Sequence, residues 1–166
     1  DRSVSRGLGD VYKRQQYARN GGLLPRGPVA GGYSYIMTTC PATPLITSAY
    51  QKGILTKVPA QEAFRVMASN HRGGGMMGST DEIRDYERLG YFPGHAGNTL
   101  EAAFQDWALG QMALKMGKKK EARYYDRRSH GWTALLHPEK KLVFPKSSNG
   151  EWLHTCLLYT SPSPRD

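Results

Sequence analysis

The sequence predicts an all-α fold, and more specifically part of an α/α toroid, a ring of inner and outer antiparallel helices that is incomplete here at both ends. Apolar residues recur at helical spacing over most of the segment 43–136. Nearly all-apolar helices also alternate with helices that carry a single apolar stripe, as inner and outer helices of a toroid require. Only Lys141–Phe144, which Pro145 terminates, resembles a strand.

The two ends of the chain have a separate origin. Ser5–Gln15 reads SRGLGDVYKRQ and Cys156–Asp166 reads CLLYTSPSPRD. A single DNA sequence accounts for both peptides. One strand encodes the first peptide, and the complementary strand, read one base out of frame, encodes the second. That DNA sequence resembles the transposase adapter used to prepare sequencing libraries. We therefore assign residues 1–15 and 156–166 to adapter and expect them to pack against nothing specific. Residues 16–155 are the native part, a fragment of one toroid domain.

Composition restricts the class of partner. The formal net charge is +9, but basic and acidic residues are mixed and the aromatic residues occur at helical core spacing, so a nucleic-acid partner is not expected. Cys40 is the one cysteine outside the adapter segments, which predicts neither a disulfide framework nor a zinc site. No apolar run reaches the roughly 18 residues that a membrane span needs.

Three helices are predicted after an opening loop, Gly21–Pro41, that is rich in glycine and proline. Thr43 is the expected cap of the first helix, with Pro44 in its first turn. The second should be amphipathic, with its apolar face toward the core. The predicted helices run from Thr43 to Gly53, from Pro59 to the glycine cluster Gly73–Gly75, and from Thr80 to Leu89.

Two longer helices follow. The first is predicted over Asn98–Met116, with Asn98 and Glu101 as a capping box and Gly117 as its end. Because its apolar residues lie nearly all the way round, we expect it to be buried, with Trp107 in packing contacts. The second, Lys118 to about Leu136, has one apolar stripe and should lie on the surface. That stripe consists of Ala122, Tyr125, Ser129, Trp132 and Leu136.

Several motifs in order resemble glycoside hydrolase family ninety-two, the bacterial calcium-dependent α-mannosidases. The resemblance covers essentially all of residues 16–155, although the opening loop has Gly27 where many relatives have Trp, and Thr47-Ser48-Ala49-Tyr50 replaces their Ala-Asp-Ala-Tyr run. The matching segments are LPRGPVAGGYSYIM (Leu24–Met37), AYQKGI (Ala49–Ile54), LGY (Leu89–Tyr91) with Pro93, TLEAAFQDW (Thr99–Trp107) continuing to Gly117, and Arg128.

The resemblance implies an exo-acting hydrolase that removes terminal α-mannose from glycans with inversion. In the family the acid, the base and the calcium ligands lie downstream of this segment, so the chain should contain no catalytic residue and no metal ligand. The family also implies calcium as cofactor, an α-mannoside glycan as substrate and an extracytoplasmic location. The alternatives are an α/α toroid glycosidase for another sugar, and a non-catalytic helical scaffold that binds proteins. A scaffold of this kind should show internal repeats, which the sequence lacks.

Five residues are candidates for substrate binding. Arg26 and Tyr33 lie among the glycines of the opening loop, where Arg26 could hold sugar hydroxyls with two hydrogen bonds or brace the loop. His95 precedes the longest helix, whose first amides are free to bind an oxygen ligand; a lone loop histidine is more often only solvated.

Glu101 and Asp106 complete the candidates. Five residues apart on a helix, they point about 140° away from each other and cannot share one pocket. Glu101 is better explained by the capping box. Asp106 lies on an apolar face, where a carboxylate needs a partner, and an ion pair with an arginine or a helix terminus is favoured over a sugar contact.

Overall fold

The computed structural model describes Arg19, Leu24, the backbone of two short strands, and residues 39–153. Both adapter segments, and most of the opening loop with Arg26, lie outside the described residues. The all-α prediction is confirmed; the strands β1 (Pro28–Val29) and β2 (Gly32–Tyr33) form only a two-residue antiparallel pair. The α-helices of the described part are α1 (Ala42–Gln51), α2 (Ala60–Asn70), α3 (Thr80–Leu89), α4 (Ala96–Lys115) and α5 (Lys119–Ser129), and a 3₁₀ helix spans Gly131–Leu135.

Helix α4 is the central element. It packs against α1, α2, α5 and the 3₁₀ helix, and its most extensive contact is with α5. Ala102, Leu109 and Met112 on its inner face are completely buried. Helix α5 lies outside it with the predicted polar face in solvent, where Arg123, Asp126, Arg127 and His130 are exposed. Inner and outer helices therefore alternate here as the sequence predicts.

The predicted start of α4 is wrong. The helix begins at Ala96, His95 is its N-cap, and no side chain caps it, so Asn98 and Glu101 do not form a capping box. Gly94, at a φ of 77°, reverses the chain before the helix. Thr99 instead closes this turn, because its hydroxyl accepts the amide of Phe92 at 2.9 Å and donates to the carbonyl of His95 at 3.0 Å.

The helix predicted over Lys118–Leu136 is in fact two elements. Helix α5 ends at Ser129, and the chain tightens into the 3₁₀ helix at Gly131. A Cβ at Gly131 would lie 2.3 Å from the carbonyl oxygen of Gly90, so only glycine lets this corner approach the end of α3. As a result Leu136 leaves the stripe and is 42% exposed.

Two smaller expectations also fail. Thr43 does not cap α1; the helix starts at Ala42 after Pro41, and Thr43 is completely buried. Lys141–Phe144 forms no strand. Lys141 has a φ of 55° and only Val143 makes an isolated bridge, to Leu136.

One face of α4 is exposed, although the sequence predicts burial on all sides and core packing for Trp107. Phe104 and Trp107 are 52% and 48% exposed, and their rings stack with centroids 6.2 Å apart. Leu100 and Leu114 are exposed on the same side. No other described element covers this face.

Candidate functional site

Five helices bring a set of polar side chains together in the core. Each of these residues lies on or directly after a different helix, and Asp106 lies on the central α4. All are buried among apolar side chains, where a polar group must find a partner. We call this set the Asp106 cluster: Thr43 of α1, His71 after α2, Tyr86 of α3, Asp106 of α4 and Arg128 of α5.

Asp106 is the acceptor that the cluster surrounds. Its Oδ1 accepts from Nδ1 of His71 at 2.8 Å, and its Oδ2 accepts from Nε of Arg128 at 2.9 Å and from the hydroxyl of Tyr86 at 3.1 Å. Both oxygens are thus bonded, and the residue has no exposed surface. The ion pair with an arginine that the sequence favours is present.

Arg128 has further contacts that fix its guanidinium. Its Nη1 and Nη2 each donate to the carbonyl of His71 at 3.3 Å, and Nη1 also donates to Glu87 at 3.3 Å. The guanidinium lies 5.1 Å from the ring centroid of Tyr86 and 5.2 Å from that of Tyr124. These cation–π contacts and the ion pair offset part of the loss of hydration that burial imposes on this charge.

Burial and charge shift the ionisation of the cluster in consistent directions. Burial and the nearby Asp106 carboxylate raise the pKa of Tyr86, so its hydroxyl stays a donor. Burial opposes the charge of Arg128, but the Asp106 carboxylate together with Tyr124 and Tyr86 outweighs this effect and raises the pKa of Arg128. In the same way burial opposes the charged form of His71, but its hydrogen bond to Asp106, with a further contribution from Cys40, raises the pKa of His71.

Thr43, His71 and Asp106 line up like a hydroxyl, imidazole and carboxylate relay. The hydroxyl of Thr43 lies 2.8 Å from Nε2 of His71, whose Nδ1 donates to Asp106. Such a relay activates a nucleophile only if a substrate can reach the hydroxyl. All three residues are 0% exposed, so in the described part of the chain the arrangement joins helices rather than meeting a substrate.

Two buried side-chain amides bind described residues near the two ends of the opening loop. Gln105 accepts from the backbone amide of Cys40 at 2.6 Å and donates to the hydroxyl of Thr39 at 2.7 Å. Asn70 accepts from the backbone amide of Leu24 at 3.1 Å. Helices α2 and α4 therefore hold Leu24, Thr39 and Cys40 in the core.

The three candidate residues whose side chains are described, His95, Glu101 and Asp106, do not share one site. His95 is exposed at the start of α4, and Glu101 is exposed six residues later, where it accepts from Gln105 at 3.4 Å. Asp106 lies on the buried side, so the predicted separation of the two carboxylates is confirmed. Tyr33 belongs to β2 by its backbone, its side chain is outside the described residues, and Arg26 is outside them altogether.

Neither a metal centre nor a membrane span is found within the described ranges. No group of three or more histidine, cysteine, aspartate or glutamate side chains is arranged to hold a metal ion in residues 39–153 and the few described positions before them. None of the helices in this part of the chain combines the length and apolar character needed to cross a membrane.

Comparison with known proteins gives a family and a fold. The sequence of this chain matches the glycosyl hydrolase family 92 catalytic domain over residues 5–164. That range includes most of both adapter segments. Among proteins with curated descriptions, none matches the sequence.

Solved structures match over nearly the whole chain. One is a family GH92 inverting mannosidase from Bacteroides thetaiotaomicron, with a TM-score of 0.80 and 24% identity over 92% of this chain. Another is a family GH92 α-mannosidase from the same organism in complex with mannoimidazole, with a TM-score of 0.82 and 20% identity over 95% of this chain. The chain spans 21% of the length of each.

Proposed function

Because this chain belongs to glycosyl hydrolase family 92, we propose that its full-length protein is an exo-acting α-mannosidase that removes terminal mannose from α-mannoside glycans. The family match over residues 5–164 carries the proposal. The two similar structures support the choice of sugar, since both are mannosidases. The first of them also supports inversion, because it is an inverting mannosidase.

The role proposed for this chain is structural support of the catalytic domain. Inversion needs a carboxylic acid and a carboxylate about 6.5 to 9.5 Å apart, with room for a water between them. Asp106 cannot serve, because three donors occupy its oxygens, and Glu101 lies on the opposite side of the same helix. As the family resemblance implies, we propose that the catalytic acid and base lie in the part of the full-length protein that this chain does not include.

Calcium is proposed as the cofactor of the full-length protein. The described residues do not fit a calcium site, since calcium takes six to eight oxygen ligands and they offer no cluster of three acidic, histidine or cysteine side chains. The ligands are therefore proposed to lie elsewhere in the full-length protein. Chelation should abolish mannose release by that protein, and added calcium should restore it; activity that is indifferent to a chelator would remove calcium from the proposal.

Three candidate residues keep a proposed role in binding substrate. His95 is exposed beside the first amides of α4, and Arg26 and Tyr33 belong to the loop whose flanks Asn70 and Gln105 anchor. Anchoring of Leu24 and Cys40 reduces the conformational entropy that the segment between them would lose on binding a sugar. An extracytoplasmic location, where glycans are met, is proposed with this function.

A substrate comparison tests the proposal. The full-length protein should release mannose from aryl α-mannosides and from mannose-terminated glycans, and it should leave the matched aryl α-glucoside and β-mannoside intact. Proton NMR of the first product should show β-mannose, the anomer that inversion gives. Preference for another sugar would assign the protein to a different specificity, and initial release of α-mannose would contradict the inverting mechanism.

A further inference from the structure

Glu101 does not have the capping role that its position in the sequence suggests. Helix α4 begins at Ala96 and no side chain caps it, so Glu101 lies on the second turn of the helix, where it is exposed. Among the described residues, no basic side chain forms an ion pair with it. In this part of the chain, the carboxylate of Glu101 therefore neither caps the helix nor balances a charge.

Gln105, one turn after Glu101, orients that carboxylate. Gln105 is 1% exposed, and its Oε1 accepts from the backbone amide of Cys40 at 2.6 Å. Because only the oxygen of the side-chain amide can accept this bond, its Nε2 is left to donate to Thr39 at 2.7 Å and to Glu101 at 3.4 Å. The amide thus connects the carboxylate of Glu101 to the end of the opening loop.

Thr39, the other acceptor of this amide, has a strained backbone. Its φ of 56° lies in the left-handed region, which β-branched residues rarely adopt, and the residue is 3% exposed. Such a conformation persists only where neighbouring contacts enforce it, and strained residues of this kind concentrate at functional sites. The bond from Gln105 is one of the enforcing contacts, so strain and orientation meet at the same amide.

A groove with aromatic and polar walls lies next to Glu101. Phe104, three residues later, is a neighbour of Glu101 on the helix surface and is 52% exposed. It lines a groove of about 420 Å³ between α1 and α4, together with Trp107 and the polar side chains of Ser48 and Gln111. Sites for small ligands combine aromatic walls with a few oriented polar groups in this way. A sugar offers both partners, since its ring has apolar C–H faces and its rim carries hydroxyls.

We propose that Glu101 binds substrate. Its carboxylate accepts hydrogen bonds from hydroxyls of a mannose unit that lies in the groove against the ring of Phe104, and Gln105 is a positioning residue that acts through Glu101. The inference rests on the proposed function, which supplies the mannose. Hydrogen bonds to a charged acceptor are stronger than neutral ones, so Glu101 contributes to affinity for the sugar rather than to the chemical step.

Kinetics of the full-length protein with an aryl α-mannoside test the inference. Glu101→Gln keeps the size of the side chain but removes its charge; it should raise KM about tenfold or more and leave kcat and the melting temperature nearly unchanged. Glu121→Gln on the exposed side of α5 is the matched control and should change none of the three. An unchanged KM for Glu101→Gln would overturn the inference, as would a lower melting temperature with wild-type kinetics, which indicates a structural role.

A double substitution tests the positioning role of Gln105. Gln105→Met should raise KM in the wild-type background but should cause no further rise in the Glu101→Gln background, because its effect passes through the lost carboxylate. A rise by the same factor in both backgrounds would overturn the positioning role. The single substitution at Glu101 decides the main inference even where Gln105→Met is too unstable to assay.

Direct binding separates this inference from the proposed function. Methyl α-thiomannoside, whose sulfur linkage resists hydrolysis, should bind the full-length wild type about tenfold or more tightly than it binds Glu101→Gln in isothermal titration calorimetry. A wild type that releases no mannose but binds this compound through Glu101 would contradict only the proposed function. Equal binding by the two proteins, or binding by neither, would overturn the inference whether or not mannose is released.

Discussion

Asp106 and Arg128 form a buried ion pair, with Nε of Arg128 2.9 Å from Oδ2 of Asp106. The pair links α4 to α5, and the bonds of Asp106 to His71 and Tyr86 extend the link toward α2 and α3. A buried pair of this kind adds little net stability over an apolar pair, but removing one partner leaves the other charge unpaired. The cluster therefore makes the positions of four helices depend on one carboxylate.

Asp106→Ala should destabilise the chain by about 3 to 5 kcal/mol, since Arg128 would keep its charge without its buried partner. Chemical denaturation measures the change in the free energy of unfolding. Asp85→Ala is the control, because Asp85 makes an exposed pair with Arg88 and such pairs contribute about 0.2 to 1 kcal/mol at most. In the full-length protein, an unchanged melting temperature with reduced kcat/KM would instead indicate a substrate contact.

Stability should fall as pH rises through the folded-state pKa of His71. That pKa is raised above the ordinary value of 6.5, so the protonated form is favoured by folding. The stabilisation is fully present below about pH 6.5 and is lost at higher pH, as the imidazole in the folded state loses its proton. Denaturation midpoints of the wild type and of His71→Gln, measured from pH 5.5 upward, check this prediction; parallel profiles for the two proteins would contradict it.

Gly131→Ala should destabilise the chain by about 1 to 3 kcal/mol, the usual cost of forcing extra volume into a packed site. The added Cβ would meet the carbonyl oxygen of Gly90 at 2.3 Å, and backbone cannot move aside as a side chain can. Gly97→Ala is the control, since a Cβ there meets nothing within 4 Å. Comparison of the two melting temperatures is the measurement, and equal melting temperatures would show that the corner between α3 and the 3₁₀ helix is not tightly packed.

Residues 1–15 and 156–166 should be absent from the natural protein. Amplification of the source DNA with primers inside residues 16–155, followed by sequencing outward in both directions, should give different codons before Gln16 and after Thr155. Recovery of the SRGLGDVYKRQ and CLLYTSPSPRD codons within a longer open reading frame would contradict the adapter assignment.

Local patterns predict the helices well where the signal is contained in the helix itself. The bounds Thr80–Leu89 agree with α3, and the apolar face of α2, with Ala63, Phe64 and Met67, is buried as predicted. Capping was harder to predict. The Asn98 and Glu101 spacing resembles a capping box that the turn at Gly94 overrides, whereas the capping box that does form, Ser79 with Glu82, was not anticipated.

The members of the Asp106 cluster could be only partly anticipated, because they meet across long sequence separations. The position of Asp106 on an apolar face predicts a buried partner such as an arginine, but it does not identify which arginine. Arg128 lies three residues after Tyr125 on the buried side of α5, and that spacing was the available signal. Thr43 and His71 carry no such signal, since their contact depends on how α1 and α2 pack against each other.

Hydrolysis by the full-length protein and by the 166-residue chain, at equal molar concentration with calcium present, tests the central claim most directly. The claim is that this chain forms part of a mannosidase but holds neither of its catalytic carboxylates. We expect the full-length protein to release mannose from an aryl α-mannoside and the chain alone to release none above the buffer blank. Mannose release by the purified chain, or no release by a folded full-length protein supplied with calcium, would contradict the account.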